Sequence, residues 1–236
     1  MYEFFLTAKE NLSFLLTCLG IFVVLALLAK LSQQLMKMPS RLSTAKTVSY
    51  TAMFGAIAAI LMYLEIPLFF APSFYQLDLS EVPVLICAFY LGPVSGVVCE
   101  LLKILLKLLI KGTSTAFVGD FANFFVGCAL VLPASIIYHA KKSRKSAIWG
   151  MVAGSAVMTV FGSFFNAVYL LPKFSQLFGM PLDAIVAMGT QVNKGITNVA
   201  TLVLFAVVPF NILKGIVVSV LTLLLYKRVE KVFFKH

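Results

Sequence analysis

The stretch SEVPVLICAFYLGPVSGVVCELLKILLKLLIK, Ser80 to Lys111, decides how this chain is organised. It could hold one long membrane helix or two shorter ones, and the choice sets which side every later segment faces. Proline and glycine interrupt helices, so Gly92-Pro93 predicts a tight helical hairpin. A single helix would carry the basic cluster Lys141, Lys142, Arg144 and Lys145 to the outer side. Lysine and arginine concentrate on the cytoplasmic side, and the hairpin keeps them there.

A membrane is required by the composition. Of 236 residues, 61% are hydrophobic and only 12% charged, where a soluble chain has roughly a quarter charged. The length suits one compact domain. Only helices and closed barrels satisfy their backbone in lipid, and long unalternated apolar runs exclude a barrel. The fold class is therefore all-α integral membrane.

Residues 12–31, 47–65, 118–138 and 148–171 read as clear spans. The remaining stretch, 174–227, must cross an odd number of times to leave Lys227, Arg228, Lys231 and Lys235 inside. Proline is tolerated in the first turn of a helix. A last span from Pro209 to Tyr226 would rise about 27 Å at 1.5 Å per residue. Residues 174–208 then form a partly helical, apolar outer cap. The count is seven: an extra N-terminal helix with its amino end outside, then a six-helix unit with both ends inside. The boundaries are 1–45 for that helix and its basic linker, 46–228 for the six-helix unit and 229–236 for a cytoplasmic tail.

The net charge of +10 follows from Lys37, Arg41, Lys46 and the two later clusters, all between apolar runs. This is a topology signal and not a nucleic-acid surface. Cys18, Cys87, Cys99 and Cys128 lie inside apolar runs without paired spacing, so they read as small buried hydrophobes and not as metal ligands. The first apolar run lacks a basic n-region and is too long for a signal-peptide core; a retained helix is expected.

Ionisable groups in a membrane cost about 2.5–3.5 kcal/mol on the insertion scale. Asn211 and Lys214, three apart, share one helix face near the outer end of the last span. They either aim together into an outward pocket or Lys214 snorkels to the interface. Glu65, Asp78, Glu81, Asp120 and Asn123 gather on the outer side, as helix caps or as pocket groups. Glu100, Lys103, Lys107 and Lys111 form a stripe opposite a leucine face, which suits an internal ion pair with outward snorkelling better than a substrate path. Ala52 and Ala56, with Ala59 a turn on, give a small-residue face for close helix approach. No nucleotide-binding loop, metalloprotease motif or nucleophile elbow is present. No catalytic set is visible, the chain is not read as an enzyme, and energy for uptake must come from elsewhere.

Six strings carry a resemblance: Leu77-Asp-Leu-Ser-Glu-Val-Pro83, Leu91-Gly-Pro93, Glu100-Leu-Leu-Lys103, Leu109-Ile-Lys-Gly-Thr-Ser-Thr115, Gly119-Asp-Phe-Ala-Asn123 and Pro209-Phe-Asn-Ile-Leu-Lys-Gly215. In order and spacing, over about residues 46–228, the chain resembles the riboflavin-specific S components of energy-coupling-factor (ECF) vitamin transporters, the RibU family. The resemblance implies a six-helix membrane protein that captures riboflavin on the outer side. It also implies delivery through a transmembrane T subunit driven by two cytoplasmic ATP-binding subunits. Riboflavin would be the transported ligand, with no cofactor and no metal.

The resemblance carries Asn211 and Lys214 over as substrate-binding residues. A flavin presents alternating carbonyls and an imide N–H along one edge, which an amide and an ammonium can meet. Phe74, Tyr75, Leu77, Leu79 and Met188 are candidates for the ring slot. Asp120, Asn123, Asn166, Thr190 and Asn193 are candidates for the ribityl hydroxyls. Ala52, Ala56 and Ala59 match the T-subunit docking face. The alternatives are an S component for another vitamin or for phosphorylated flavins (FMN), for which Lys111, Lys173 and Lys194 offer outer cations. A secondary transporter would show an inverted repeat, and none is evident. The helix before Lys46 lies outside the usual six-helix unit.

Overall fold

The computed structural model describes residues 2–36, 43–72, 74–113, 115 and 117–233. The basic residues Lys37, Arg41 and Lys235, and also His236, lie outside them. The elements are α1 (Tyr2–Leu35), α2 (Thr44–Tyr63), β1 (Ile66–Pro67), β2 (Gln76–Leu77), α3 (Glu81–Leu91), α4 (Pro93–Lys111), α5 (Val118–Lys141), α6 (Arg144–Phe165), α7 (Leu171–Phe178), α8 (Leu182–Val192), α9 (Val199–Leu202) and α10 (Val208–Phe233). Single π-helical turns, Asn166–Leu170 and Val203–Val207, join α6 to α7 and α9 to α10.

Among the described residues, five helical stretches are long and apolar enough to cross a membrane: Leu16–Leu35, Thr44–Tyr63, Val118–Lys141, Arg144–Phe178 and Val199–Val232. The expected hairpin lies between the second and third of these. Its turn residue Gly92 has φ 103°, a conformation that only glycine adopts readily. Pro93 then starts α4, where its missing N–H goes unnoticed. A Cβ on Gly96 would fall 2.7 Å from the Ala88 Cβ, so α3 and α4 pack in close contact. With 11 residues, α3 is about 16 Å long, half a bilayer.

The last helix does not start at Pro209. It runs unbroken from Val199 to Phe233, begun by Asn198, whose side chain accepts from the Thr201 N–H in a capping box. A proline inside a helix loses one backbone bond and crowds the preceding turn. The π turn ending at Val207 relieves both, because its wider i→i+5 pattern leaves room ahead of Pro209. The turn Asn166–Leu170 does the same ahead of Pro172. The outer cap is correspondingly shorter than 174–208: residues up to Phe178 continue the preceding helix, and α8 with the loop 193–198 makes the cap.

α5 and α6 form the tightest pair. Cβ atoms added at Gly150 and Gly154 would sit 2.6 and 2.4 Å from the carbonyl oxygens of Ala134 and Leu130, so backbone meets backbone as membrane helices with small residues allow. α1 lies against α4 and α5, burying Cys18 and Ala29 and bringing the Phe22 ring within 5.8 Å of Phe124. Its other face, with Leu19, Val23, Leu27 and Leu31, is exposed and apolar enough for lipid. Beneath the cap, Tyr75, Leu77, Leu171, Ile185, Ile196, Leu202 and Phe210 form a common apolar cluster. That cluster fixes the β1–β2 loop to the helices around the site.

Candidate ligand-binding cavity

At one end of the bundle the β1–β2 loop, the α4–α5 loop, α8 and the upper turns of α5, α6, α7 and α10 enclose a cavity of about 780 Å³. Pockets for drug-sized ligands run from about 300 to 1,000 Å³ and combine apolar walls with a few polar groups. Here Phe74, Tyr75, Phe174, Phe178 and Phe210 supply rings, and Val126, Leu170, Met180, Ile185, Met188 and Val207 supply aliphatic surface. Tyr75 anchors the aromatic wall, its ring 4.6 Å from Phe74 and 5.6 Å from Phe210 between centroids. Its hydroxyl donates to Asn166 Oδ1 at 2.8 Å. Burial pushes the Tyr75 phenol well up from its ordinary value, so it stays a neutral donor.

Asn211 and Lys214 both line the cavity and are both buried. Asn211 reaches its place because residue 162 is glycine: a Cβ there would stand 3.1 Å from Asn211 Nδ2. Lys214 is not a bare cation. Its Nζ lies 2.9 Å from Asp78 Oδ2 and 3.0 Å from Glu81 Oε1. Glu81 in turn meets Lys103 Nζ at 3.3 Å, and Lys103 pairs with Glu100. Buried charges persist when paired, and each member of this chain of five, from the β2–α3 loop, α3, α4 and α10, has an opposite charge beside it. Snorkelling of Lys214 to the interface is thereby excluded.

Asp78 also shapes its own loop. Its Oδ1 accepts from the Ser80 N–H at 2.9 Å and from the Ser80 hydroxyl, closing an Asx turn ahead of α3. Two further pairs stand in the cavity wall: Lys107 with Asp120 at 2.6 Å, and Lys111 with Glu65. Asp120 thus serves Lys107 and not a helix cap; at the start of α5 it is the Thr115 hydroxyl that accepts, from the Gly119 N–H at 3.0 Å. The stripe on α4 is a set of internal ion pairs.

Of the candidates read from sequence, Asn211, Lys214, Asp120, Asn123, Asn166, Phe74, Tyr75 and Met188 come together around this cavity. Leu77 and Leu79 do not line it; both turn toward packed apolar clusters. Side chains alternate along extended chain, so Gln76 and Asp78 take the cavity side and Leu77 and Leu79 the other. Thr190 turns its hydroxyl to the carbonyls of Val186 and Ile196. Asn193 accepts from the Gly195 N–H, so both serve the cap's backbone and neither lines the cavity. On α2, Ala52 and Ala56 are exposed, whereas Ala59 is buried beside a small apolar groove shared with Tyr63 and Ile110.

The partners of Lys214 are not evident from sequence spacing: Asp78 and Glu81 stand out only as outer acids, and the need of any membrane-embedded lysine for a counter-charge is the signal that links them to it. Phe210, beside Asn211, and Phe174 and Phe178, one turn apart on α7, could have been found as aromatics next to polar site residues.

A helical membrane bundle with a cavity of this kind, lined by aromatic rings and by paired charges, is the architecture of a small-molecule-binding membrane component. The chain belongs to the family "ECF transporter, substrate-specific component", whose profile matches residues 46–226; the family is one of binding components of transporters and not of enzymes. It is 37% identical to the riboflavin transporter RibU of Staphylococcus aureus (strain TCH60) over 177 residues, 75% of this chain and 86% of that one. It is 30% identical to the riboflavin transporter FmnP of Bacillus subtilis (strain 168) over 186 residues, 78% of this chain and 92% of that one. A solved structure of the S component of a bacterial ECF transporter superposes with a TM-score of 0.64 at 36% identity, covering 82% of this chain and all of that one.

Proposed function

We propose that this chain captures riboflavin in the cavity beneath α8 and hands it to partner subunits that drive its uptake. The observation that carries this reading is the cavity's lining, where Asn211 and Lys214, three apart on α10, share one wall with the neighbouring Tyr75 and Phe210 rings. A flat heteroaromatic ring with a polar edge fits such a lining, ring against ring and edge against amide and ammonium. The names of the relatives, riboflavin transporters, support the same ligand.

The cavity faces outward in this reading. The amino terminus lies outside and the basic carboxyl end inside, in the plasma membrane of a prokaryote. Seven crossings follow if α3 is extended by residues 76–80: about 16 Å of helix and a similar length of extended chain together make one membrane thickness. That non-helical segment is protected by protein and lines a cavity, the condition under which a membrane accepts one. The unit 46–228 carries the ligand and α1 precedes it as a separate addition. The exposed Ala52 and Ala56 face of α2 receives a transmembrane T subunit, and two ATP-binding subunits supply the energy this chain has no residues to harvest.

Purification from flavin-replete cells in detergent tests the ligand. We expect a yellow protein with flavin absorbance in the blue, and saturable quenching of riboflavin fluorescence by the flavin-free form. Colourless protein that leaves riboflavin fluorescence unchanged would sink the reading.

A further inference from the structure

Among the described residues, the cavity wall carries three lysines and three carboxylates, and they are matched one to one: Lys107 with Asp120, Lys111 with Glu65, and Lys214 with Asp78. Behind the wall, Glu81 takes a second bond from Lys214. Among the described residues, no ammonium on the wall is left without a carboxylate beside it. Sites that recognise phosphate do the opposite and present unpaired arginine or lysine, or bare backbone N–H groups, to the anion. A phosphate ester carries about −1.5 to −2 charge at neutral pH. Entering here, it would meet three fixed carboxylates at short range and would have to break an existing ion pair to gain a cation. Lys173 bonds Gln176 at the surface and Lys194 is exposed; neither lines the cavity.

We infer that the paired wall makes this a site for an uncharged ligand, with Lys107 and Asp120 as specificity-determining residues that discriminate against the phosphorylated form. The inference rests on the flavin reading and goes beyond it, separating the free vitamin from its 5′-phosphate. Specificity of this kind comes from a repulsive element as much as from an attractive one. Asp120 is that element. Lys107, which also donates to the Gly112 carbonyl at 3.2 Å, is the cation that Asp120 withholds from a phosphate.

The test is fluorescence titration of the full chain in detergent with riboflavin and with riboflavin 5′-phosphate, read as the ratio of the two Kd values. The wild-type ratio, phosphate over free vitamin, is expected above tenfold. Asp120→Asn releases Lys107 and should lower the ratio at least fivefold, whereas Lys107→Gln removes the cation and should raise it. A purely structural role would weaken both ligands alike and leave the ratio where it was. Glu65→Gln, at the more exposed pair, should lower the ratio by a smaller factor and keeps the test open if Asp120→Asn does not fold. A wild-type ratio below ten, or a ratio unmoved in both Asp120→Asn and Glu65→Gln, overturns the inference. If neither ligand is quenched by wild-type protein, it is the flavin reading that has failed.

Discussion

Lys214 Nζ lies 2.9 Å from Asp78 Oδ2 although the two residues are 136 positions apart. The contact ties α10 to the loop that leads into α3, so a group in the cavity wall also holds the bundle closed. Removing one member of a buried ion pair strands the other and costs about 3–5 kcal/mol. Glu81, at 3.0 Å, softens the loss for Lys214. Asp78→Ala and Lys214→Ala are therefore expected to destabilise singly, and the double variant by less than the sum, with a coupling of about 1–3 kcal/mol. Denaturant titration in detergent measures this, and strict additivity would show that the pair is not energetically linked.

Substitution at Asn211 or Lys214 should also appear in ligand affinity. Asn211→Ala and Lys214→Ala are each expected to weaken riboflavin binding more than tenfold, about 1.4 kcal/mol. Quenching titrations decide, and unchanged affinity in both variants would place the ligand elsewhere.

Gly162 gives a more indirect test. A methyl group there would stand 3.1 Å from Asn211 Nδ2, closer than ordinary contact, so Asn211 must shift by a few tenths of an ångström. Gly162→Ala should weaken riboflavin binding severalfold while leaving the melting temperature within a few degrees. A large drop in melting temperature without a change in affinity would assign Gly162 to packing alone.

Bulk on the exposed face of α2 tests the docking proposal. Ala56→Trp should reduce co-purification with the T and ATP-binding subunits while riboflavin titration still saturates. Undiminished co-purification would move the docking face elsewhere.

Gly92-Pro93 could be read in advance because its turn chemistry is local and the basic clusters restrict the alternatives. Asn211 and Lys214 were legible for a similar reason, as polar groups an apolar helix has no cause to carry unless they are used. Leu77 and Leu79 were not, because their side is set by the phase of a short extended segment that only the folded loop defines. Thr190 and Asn193 looked like ligand groups, but loop backbone claimed their hydrogen-bonding capacity first. Pro209 looked like a helix start because composition does not reveal a π turn. The Asp78 and Lys214 pairing was hidden by the length of chain between them.

The π turn at Val203–Val207 has a consequence for how this chain tolerates change. Its i→i+5 pattern takes up one residue more per turn than the i→i+4 pattern of the α-helix, so the extra residue adds chain without adding rotation. Deleting a single residue between 203 and 207 would let the turn close to α-helix and leave Asn211 and Lys214 facing nearly the same way. Deleting two exceeds what the turn can give back and, at about 3.6 residues per turn, swings the amide and the ammonium by about 100° off the ligand. The wide turn is thus a one-residue reserve of length ahead of the site.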